Sequence, residues 1–318
     1  MSSVFKEKIQ TVSGLVAASG IGHIQCHEHI YLRKGPSYQI NQALCMDDFG
    51  KSLQELKDYK AAGGSAIVDA QPGGFGRDGE MLCRLAEESG VQIIAVTGFH
   101  KKVFIEPESP LNRMKEDQLT QYFISELEEG MFSVTGHRLA AKAGMLKVAL
   151  EENGLSDEFY QPFFRAVGRA AKKTGAPIMV HTEKNVDVLE LLAFFKAYEI
   201  DEKQILICHL DRTRRDVQYH LKVLKAGCYL CYDSVNRLKY VSHEQELELI
   251  RDICSAGYSS QVLLSLDTTN QRLRSYNAQD MGLDYILTTY KTMLEQYGID
   301  QKQIEEMCHL NALKLFEK

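Results

Sequence analysis

The chain has 318 residues, of which 44% are hydrophobic and 25% charged, with a formal net charge of −6. That composition is ordinary for a globular protein, its acidic balance argues against nucleic acid or an anionic membrane as partner, and no apolar run reaches the roughly 18 residues a spanning helix needs. The opening residues 1–8 lack an apolar signal core, and the eight cysteines lack stapling pairs, so a cytoplasmic protein with reduced thiols is expected.

Short β-rich runs alternate with amphipathic stretches along the chain. The first run, residues 22–30, places His27 and His29 two residues apart. In a strand, such residues share a face and could hold one metal ion, although two unrelated strand histidines would give the same spacing. Further runs end near Asp69, Gly98, Val148, His181, His209, Asp233 and Asp267, which makes eight. Between them, apolar residues recur at helical intervals over 51–61, 80–89, 157–173, 188–198, 217–226 and 244–255, and a last helix is expected over 300–316. This alternation predicts an α/β fold, a single (β/α)8 TIM barrel spanning 1–318, with the active site at the C-terminal ends of the strands. Cys228 and Cys231 form a CxxC, but i and i+3 of a strand face opposite ways, so no shared metal or disulfide is expected.

The strand ends carry the chemistry. His27 and His29 end the first strand, Lys147 lies on the fourth, His181 and His209 end the fifth and sixth, and Asp267 ends the eighth. Each alone has a plain structural reading. Four of only ten histidines meeting a lysine and an aspartate at one barrel mouth does not.

At this point the chain resembles the phosphotriesterase-like branch of the amidohydrolase superfamily. The resemblance rests on residues 9–14 leading into His27-Glu28-His29, Ile67-Val68-Asp69 with Gly76-Arg77-Asp78, Thr97-Gly98, and residues 142–147. It continues through Val180-His181-Thr182, residues 208–211, Leu266-Asp267 and Asn311-Ala312. It implies two divalent ions, zinc first, with manganese, cobalt or iron also suited. His27, His29 and Asp267 would hold the more buried ion, His181 and His209 the outer one, and Lys147, carboxylated to a carbamate, would bridge both. It further implies that a hydroxide held between the ions attacks an ester and that Asp267 accepts its proton. Some family members carry a histidine just after the seventh-strand aspartate as an outward proton relay; here Ser234 follows Asp233. A homodimer is also implied.

The expected substrate is a small anion. Basic residues follow several strands, among them Lys101, Lys102, Lys184, Arg212, Arg214, Arg215 and Arg237. One subgroup of the family hydrolyses phosphorylated furanose lactones with a lysine after strand 7 and an arginine and tyrosine after strand 8. Lys239, Arg272 or Arg274, and Tyr276 are similar to that arrangement. The rival readings are a phosphoester or simple carboxylic lactone as substrate, a nucleotide-binding loop at Gly74-Phe75-Gly76-Arg77-Asp78-Gly79, and a non-catalytic binding barrel.

Overall fold

A computed structural model describes residues 8–278 and 280–317, so residues 1–7 of the opening segment lie outside it. A hairpin that the periodicity did not announce comes first, β1 (Lys8–Thr11) and β2 (Gly14–Ala17). The eight expected runs follow as parallel strands: β3 (His23–Glu28), β4 (Gly64–Asp69), β5 (Gln92–Gly98), β6 (Met145–Leu150), β7 (Ile178–Thr182), β8 (Ile205–Cys208), β9 (Tyr229–Tyr232) and β10 (Val262–Leu264). Each pairs with its sequence neighbour, as right-handed βα units require.

The barrel seam between β3 and β10 is made by a side chain. The eighth run, expected to reach residue 267, leaves the strand ladder after Leu264. Ser265 Oγ then accepts the N–H of Cys26 at 2.8 Å and of His27 at 3.0 Å, and the Asp267 N–H donates to the His27 carbonyl at 3.1 Å. These bonds nearly close a (β/α)8 TIM barrel.

Around it run α1 (Pro36–Ile40), α2 (Phe49–Ala61), α3 (Gly79–Ser89), α4 (Glu116–Glu128), α5 (Tyr160–Thr174), α6 (Val188–Lys196), α7 (Leu210–Thr213), α8 (Val217–Ala226), α9 (His243–Ser255), α10 (Lys291–Gln296), α11 (Gln301–Glu305) and α12 (Asn311–Leu315). Side chains of Asp48, Asp78, Asp187, Asp216 and Ser242 cap α2, α3, α6, α8 and α9 by accepting early helix N–H groups. The stripe of α4 is Leu119, Thr120, Phe123 and Glu126, two of them polar, which hid it from a purely apolar pattern. The expected closing helix over 300–316 is interrupted by a π turn at Glu306–Leu310. Among the described residues, no helix is long and apolar enough to cross a membrane.

Two apolar layers hold the barrel. Inside are Ile24, Cys26, Val68, Ile94, Val96, Met145, Met179, Leu206, Cys208, Cys231 and Leu263, sealed below by Ile9, Ile21, Leu315 and Phe316. Outside, Ile67, Ile93, Leu146, Val148, Val180, Ile207 and Leu230 pack under the helices. Cys231 belongs to the inner layer and Cys228 to the outer one, on opposite faces as expected. All eight cysteines are free. The Gly74–Gly79 segment is no open phosphate loop: Arg77 is buried against Glu126, with Nη1 also donating to the Val96 carbonyl at 2.8 Å.

One glycine is required by the β5–β6 contact. Gly98 has φ +119°, and a Cβ there would stand 2.1 Å from the carbonyl oxygen of Lys147. Gly98→Ala is therefore expected to cost roughly 3 kcal/mol or to prevent folding, read as a lowered urea midpoint. An unchanged midpoint would show that the two strands can separate without penalty.

Candidate metal centre

The interior strand positions alternate, and the alternation explains half of the candidate site. Met145 leads two residues on to Lys147, Met179 to His181, Cys231 to Asp233, and Leu263 through Ser265 to Asp267. His27 and His209 break this rule, because each directly follows an inward cysteine, Cys26 or Cys208. For His27, a register irregularity against β4 between Gln25 and Glu28 turns the strand. For His209, the backbone enters the left-handed region at φ 73° as α7 begins. Asp267 does the same at φ 48°. Such conformations are uncommon outside glycine and cluster at functional sites.

The result is a chain of contacts, buried except at Glu183. The Nδ1 atoms of His27 and His209 lie 2.9 and 2.6 Å from the two oxygens of Asp233. Asp267 Oδ1 lies 3.8 Å from His27 Nε2 and 3.5 Å from His29 Nε2. His209 Nε2 lies 2.8 Å from His181 Nδ1, and His181 Nε2 lies 3.2 Å from Glu183 Oε1. The loops are locked around this chain by Thr268, whose hydroxyl bonds both N–H and C=O of His29, and by Glu28, which accepts from the N–H groups of Leu266 and Thr268.

Proton bookkeeping shows what the arrangement wants. Burial holds His29 and His181 at about 4 and His209 well below its usual value, so these three rings are neutral. A neutral ring carries one N–H, and a carboxylate can only accept. Asp233 therefore places protons on Nδ1 of His27 and His209, and Glu183 places one on Nε2 of His181. That leaves His181 Nδ1 and His209 Nε2 aiming lone pairs at each other across 2.8 Å. It also leaves His27 Nε2 without a hydrogen-bond partner and facing a carboxylate. Burial alone would raise the Asp267 pKa, but Arg237 and Arg212 overcome it and hold the group well below the usual carboxylate range. The facing lone pairs of His181 and His209, with the carboxylate of Asp267 close to His27 and His29, fit cations. The atoms of His27, His29 and Asp267, and likewise of His27, His209 and Asp233, lie within 4.8 Å of one another.

Lys147 is fully buried, and its Nζ donates to the Ala70 carbonyl at 2.6 Å. Burial lowers its pKa to about 8, which makes the free amine accessible near neutrality.

A cavity of about 550 Å³ opens at this end of the barrel, lined by His29, His181, Asp267, Lys101, Glu183, Arg212, Arg237, Lys239 and Arg272 among others. Of the residues expected to meet substrate, Lys239 stands exposed on the rim, its ammonium 4.7 Å over the Tyr240 ring. Arg272 reaches the wall, but its guanidinium is spent on the carbonyls of Leu266, Val235 and Asp267, where it braces the loops. Arg274 and Tyr276 are not brought to the cavity. Tight turns after Thr269 and Leu273 send them outward, Arg274 to Asp284 at 3.0 Å and Tyr276 to the Asp48 carbonyl and Ser52 Oγ, each at 2.8 Å. Arg212 and Arg237, expected at the mouth only as basic residues, grip Asp267 Oδ2 at 2.7 and 2.8 Å. His100, which sequence reasoning missed, is buried with its ring 4.8 Å from that of His181.

A family model described as the Phosphotriesterase family matches residues 7–316. The chain belongs to the phosphotriesterase family. It is 26% identical over 296 residues to the phosphotriesterase homology protein of Escherichia coli K12, covering 93% of this chain and 98% of that one. It is 29% identical over 321 residues to a phospho-furanose lactonase of Mycoplasmopsis synoviae, covering 96% and 90%. Among solved structures, a lactonase from Listeria monocytogenes superposes with a TM-score of 0.88 at 26% identity, covering 97% and 98%. Phosphotriesterase-family membership makes this chain a hydrolase, and the His/Asp groups at its barrel mouth are of the kind such enzymes use for metal.

Proposed function

We propose that this phosphotriesterase-family barrel is a lactonase with two divalent ions at its mouth. The observation that carries the reading is the facing pair of lone pairs on His181 and His209, beside the unpartnered His27 Nε2 and the carboxylate of Asp267. His27, His29 and Asp267 would hold one ion, His181 and His209 the other, and Lys147, as a carbamate, would lie between them. Zinc suits this donor set best, with manganese, cobalt or iron also suited. When bound, the ions supply a hydroxide nucleophile at neutral pH and polarise the ester carbonyl.

The chain's own groups do the rest. Asp267, kept ionised by Arg212 and Arg237, takes the nucleophile's proton. Asp233 and Glu183 hold the histidine rings in the tautomers described above. A lactone bearing an anionic group, such as a phosphorylated furanose lactone, is supported by the M. synoviae relative and by Lys239 on the cavity rim. The outward course of Arg274 and Tyr276 favours a second reading, an unphosphorylated carboxylic lactone, with the exposed Ile40 and Leu238 at the rim as its apolar contacts. Eight free thiols support a reducing, cytoplasmic setting.

The test is metal analysis of protein purified with bicarbonate, alongside a lactone panel with and without phosphate. About two ions per chain and a preference for phosphorylated lactones would support the first reading. Two ions with equal turnover of both lactone types would favour the second. No bound metal, and no gain on adding it, would sink both. Asp267→Asn is expected to lower kcat by roughly 10²- to 10⁴-fold; a kcat within threefold of the parent would remove Asp267 from the proton's path.

A further inference from the structure

We propose that Glu183 is a positioning residue that, held by Lys101, sets the tautomer of His181 and so keeps the second ion position open. The inference rests on the two-ion reading above and adds to it a residue outside the candidate ligand set.

The geometry is specific. Glu183 directly follows β7, and its backbone is fixed on one side by its N–H to the Leu150 carbonyl at 3.0 Å. On the other side, Thr182 Oγ1 donates to the Cys208 carbonyl at 2.7 Å. The carboxylate therefore leaves the sheet at a defined point. Its Oε1 meets His181 Nε2 at 3.2 Å and Lys101 Nζ at 2.6 Å. Lys101 arrives from the loop after β5 and also stands 3.7 Å from Glu151 Oε1, so two acids draw it to this wall. The Glu183 side chain is 37% exposed to the cavity, and without Lys101 it could turn toward solvent.

The consequence follows from donors and acceptors. With a carboxylate on Nε2, His181 must carry its proton there and present a bare Nδ1. Remove that carboxylate, and a neutral ring gains by moving the proton to Nδ1. There it would donate to His209 Nε2, which Asp233 keeps as an acceptor only 2.8 Å away. The two rings would then satisfy each other as an ordinary hydrogen bond, and the gap would hold no cation. Two carboxylates, Asp233 below and Glu183 above, are thus needed to set lone pair against lone pair. Outer hydrogen-bond partners of ligating histidines generally act this way, and losing one costs about 10–100-fold in metal affinity.

Two measurements on the full chain test this. In metal-free protein, long-range ¹H–¹⁵N NMR should find His181 protonated on Nε2 in the parent and on Nδ1 in Glu183→Ala. An Nδ1–H tautomer in the parent, or no change in the variant, overturns the proposal. In zinc titrations against a competing chelator, Glu183→Ala should weaken one of two sites by about 10–100-fold and spare the other. Glu183→Gln, whose amide oxygen still accepts, should lose less, and Lys101→Met should show a smaller loss at the same site. Unchanged affinity in Glu183→Ala overturns the proposal, as does an equal loss in the Gln and Ala variants, which would make Glu183 a ligand. If the parent binds a single ion while the tautomer moves as expected, the two-ion reading fails and the positioning of His181 stands.

Discussion

Lys147→Met is expected to abolish hydrolysis while making the metal-free fold more stable. The lysine amine lies in the barrel interior with the Ala70 carbonyl at 2.6 Å, below the converging histidines. As an ammonium it would repel cations; as a carbamate it becomes an anion with two oxygens, able to lie between two of them. Removing it should cost several kcal/mol of transition-state stabilisation, about a thousandfold or more in kcat. The stability effect has the opposite sign. Burial lowers the folded pKa to about 8 from 10.5, so the unfolded chain holds the proton more tightly than the folded one. The folding penalty from this group is full below pH 8, shrinks as pH rises from 8 to 10.5, and vanishes above. Lys147→Met removes it, so urea midpoints of the metal-free proteins should differ most at neutral pH and converge at high pH. A variant that keeps both ions and full turnover would show that Lys147 bridges nothing.

Asp233→Asn should be nearly as damaging, by a different route. The two oxygens of Asp233 take the Nδ1 protons of His27 and His209 at 2.9 and 2.6 Å. Asparagine offers one oxygen and one NH₂ group. Whichever ring meets the NH₂ must present a lone pair on Nδ1 and move its proton to Nε2, the atom that faces the cation position. A tautomer error of this kind beside a catalytic histidine is worth about 10⁴-fold in kcat in serine proteases, and a loss of about 10³–10⁴-fold is expected here. Metal analysis should show at least one ion lost per chain. A variant with two ions and normal kcat would show that the rings choose their tautomers without Asp233.

The two predictions share a design in which chemistry is set by where protons cannot be. Burial makes His29, His181 and His209 neutral, carboxylates at Asp233 and Glu183 fix which nitrogen is protonated, and Arg212 and Arg237 hold Asp267 ionised at rest. In this arrangement the arginines that read from sequence as a basic mouth neutralise Asp267, and Lys101 pairs with Glu183, so on the proposed reading Lys239 on the rim is left to meet an anionic substrate.

Much of the barrel was legible in one dimension. Period-two patterning with apolar residues at Met145, Met179 and Cys231 carries Lys147, His181 and Asp233 to the interior at the strand ends, because alternation is a property of the strand itself. Helices with apolar stripes were legible for the same reason. What only the tertiary structure decided lies where that local rule gives way. The register shift of β3 against β4 and the left-handed backbone at His209 turn in two histidines whose sequence parity points them out. Ser265, an unremarkable residue in the chain, bridges the barrel seam with two hydrogen bonds that exist only because segments 239 and 238 residues apart in sequence meet there. The roles of Glu183, Arg212 and Arg237, and the departure of Arg274 and Tyr276 from the cavity, depend on which atoms of distant loops come within hydrogen-bond reach. The sequence determined the eight barrel strands, the helices with apolar stripes and the kinds of residue at the mouth, since these follow from local period and composition. The tertiary structure decided which nitrogen faces which oxygen, since that depends on contacts between segments that no local pattern encodes.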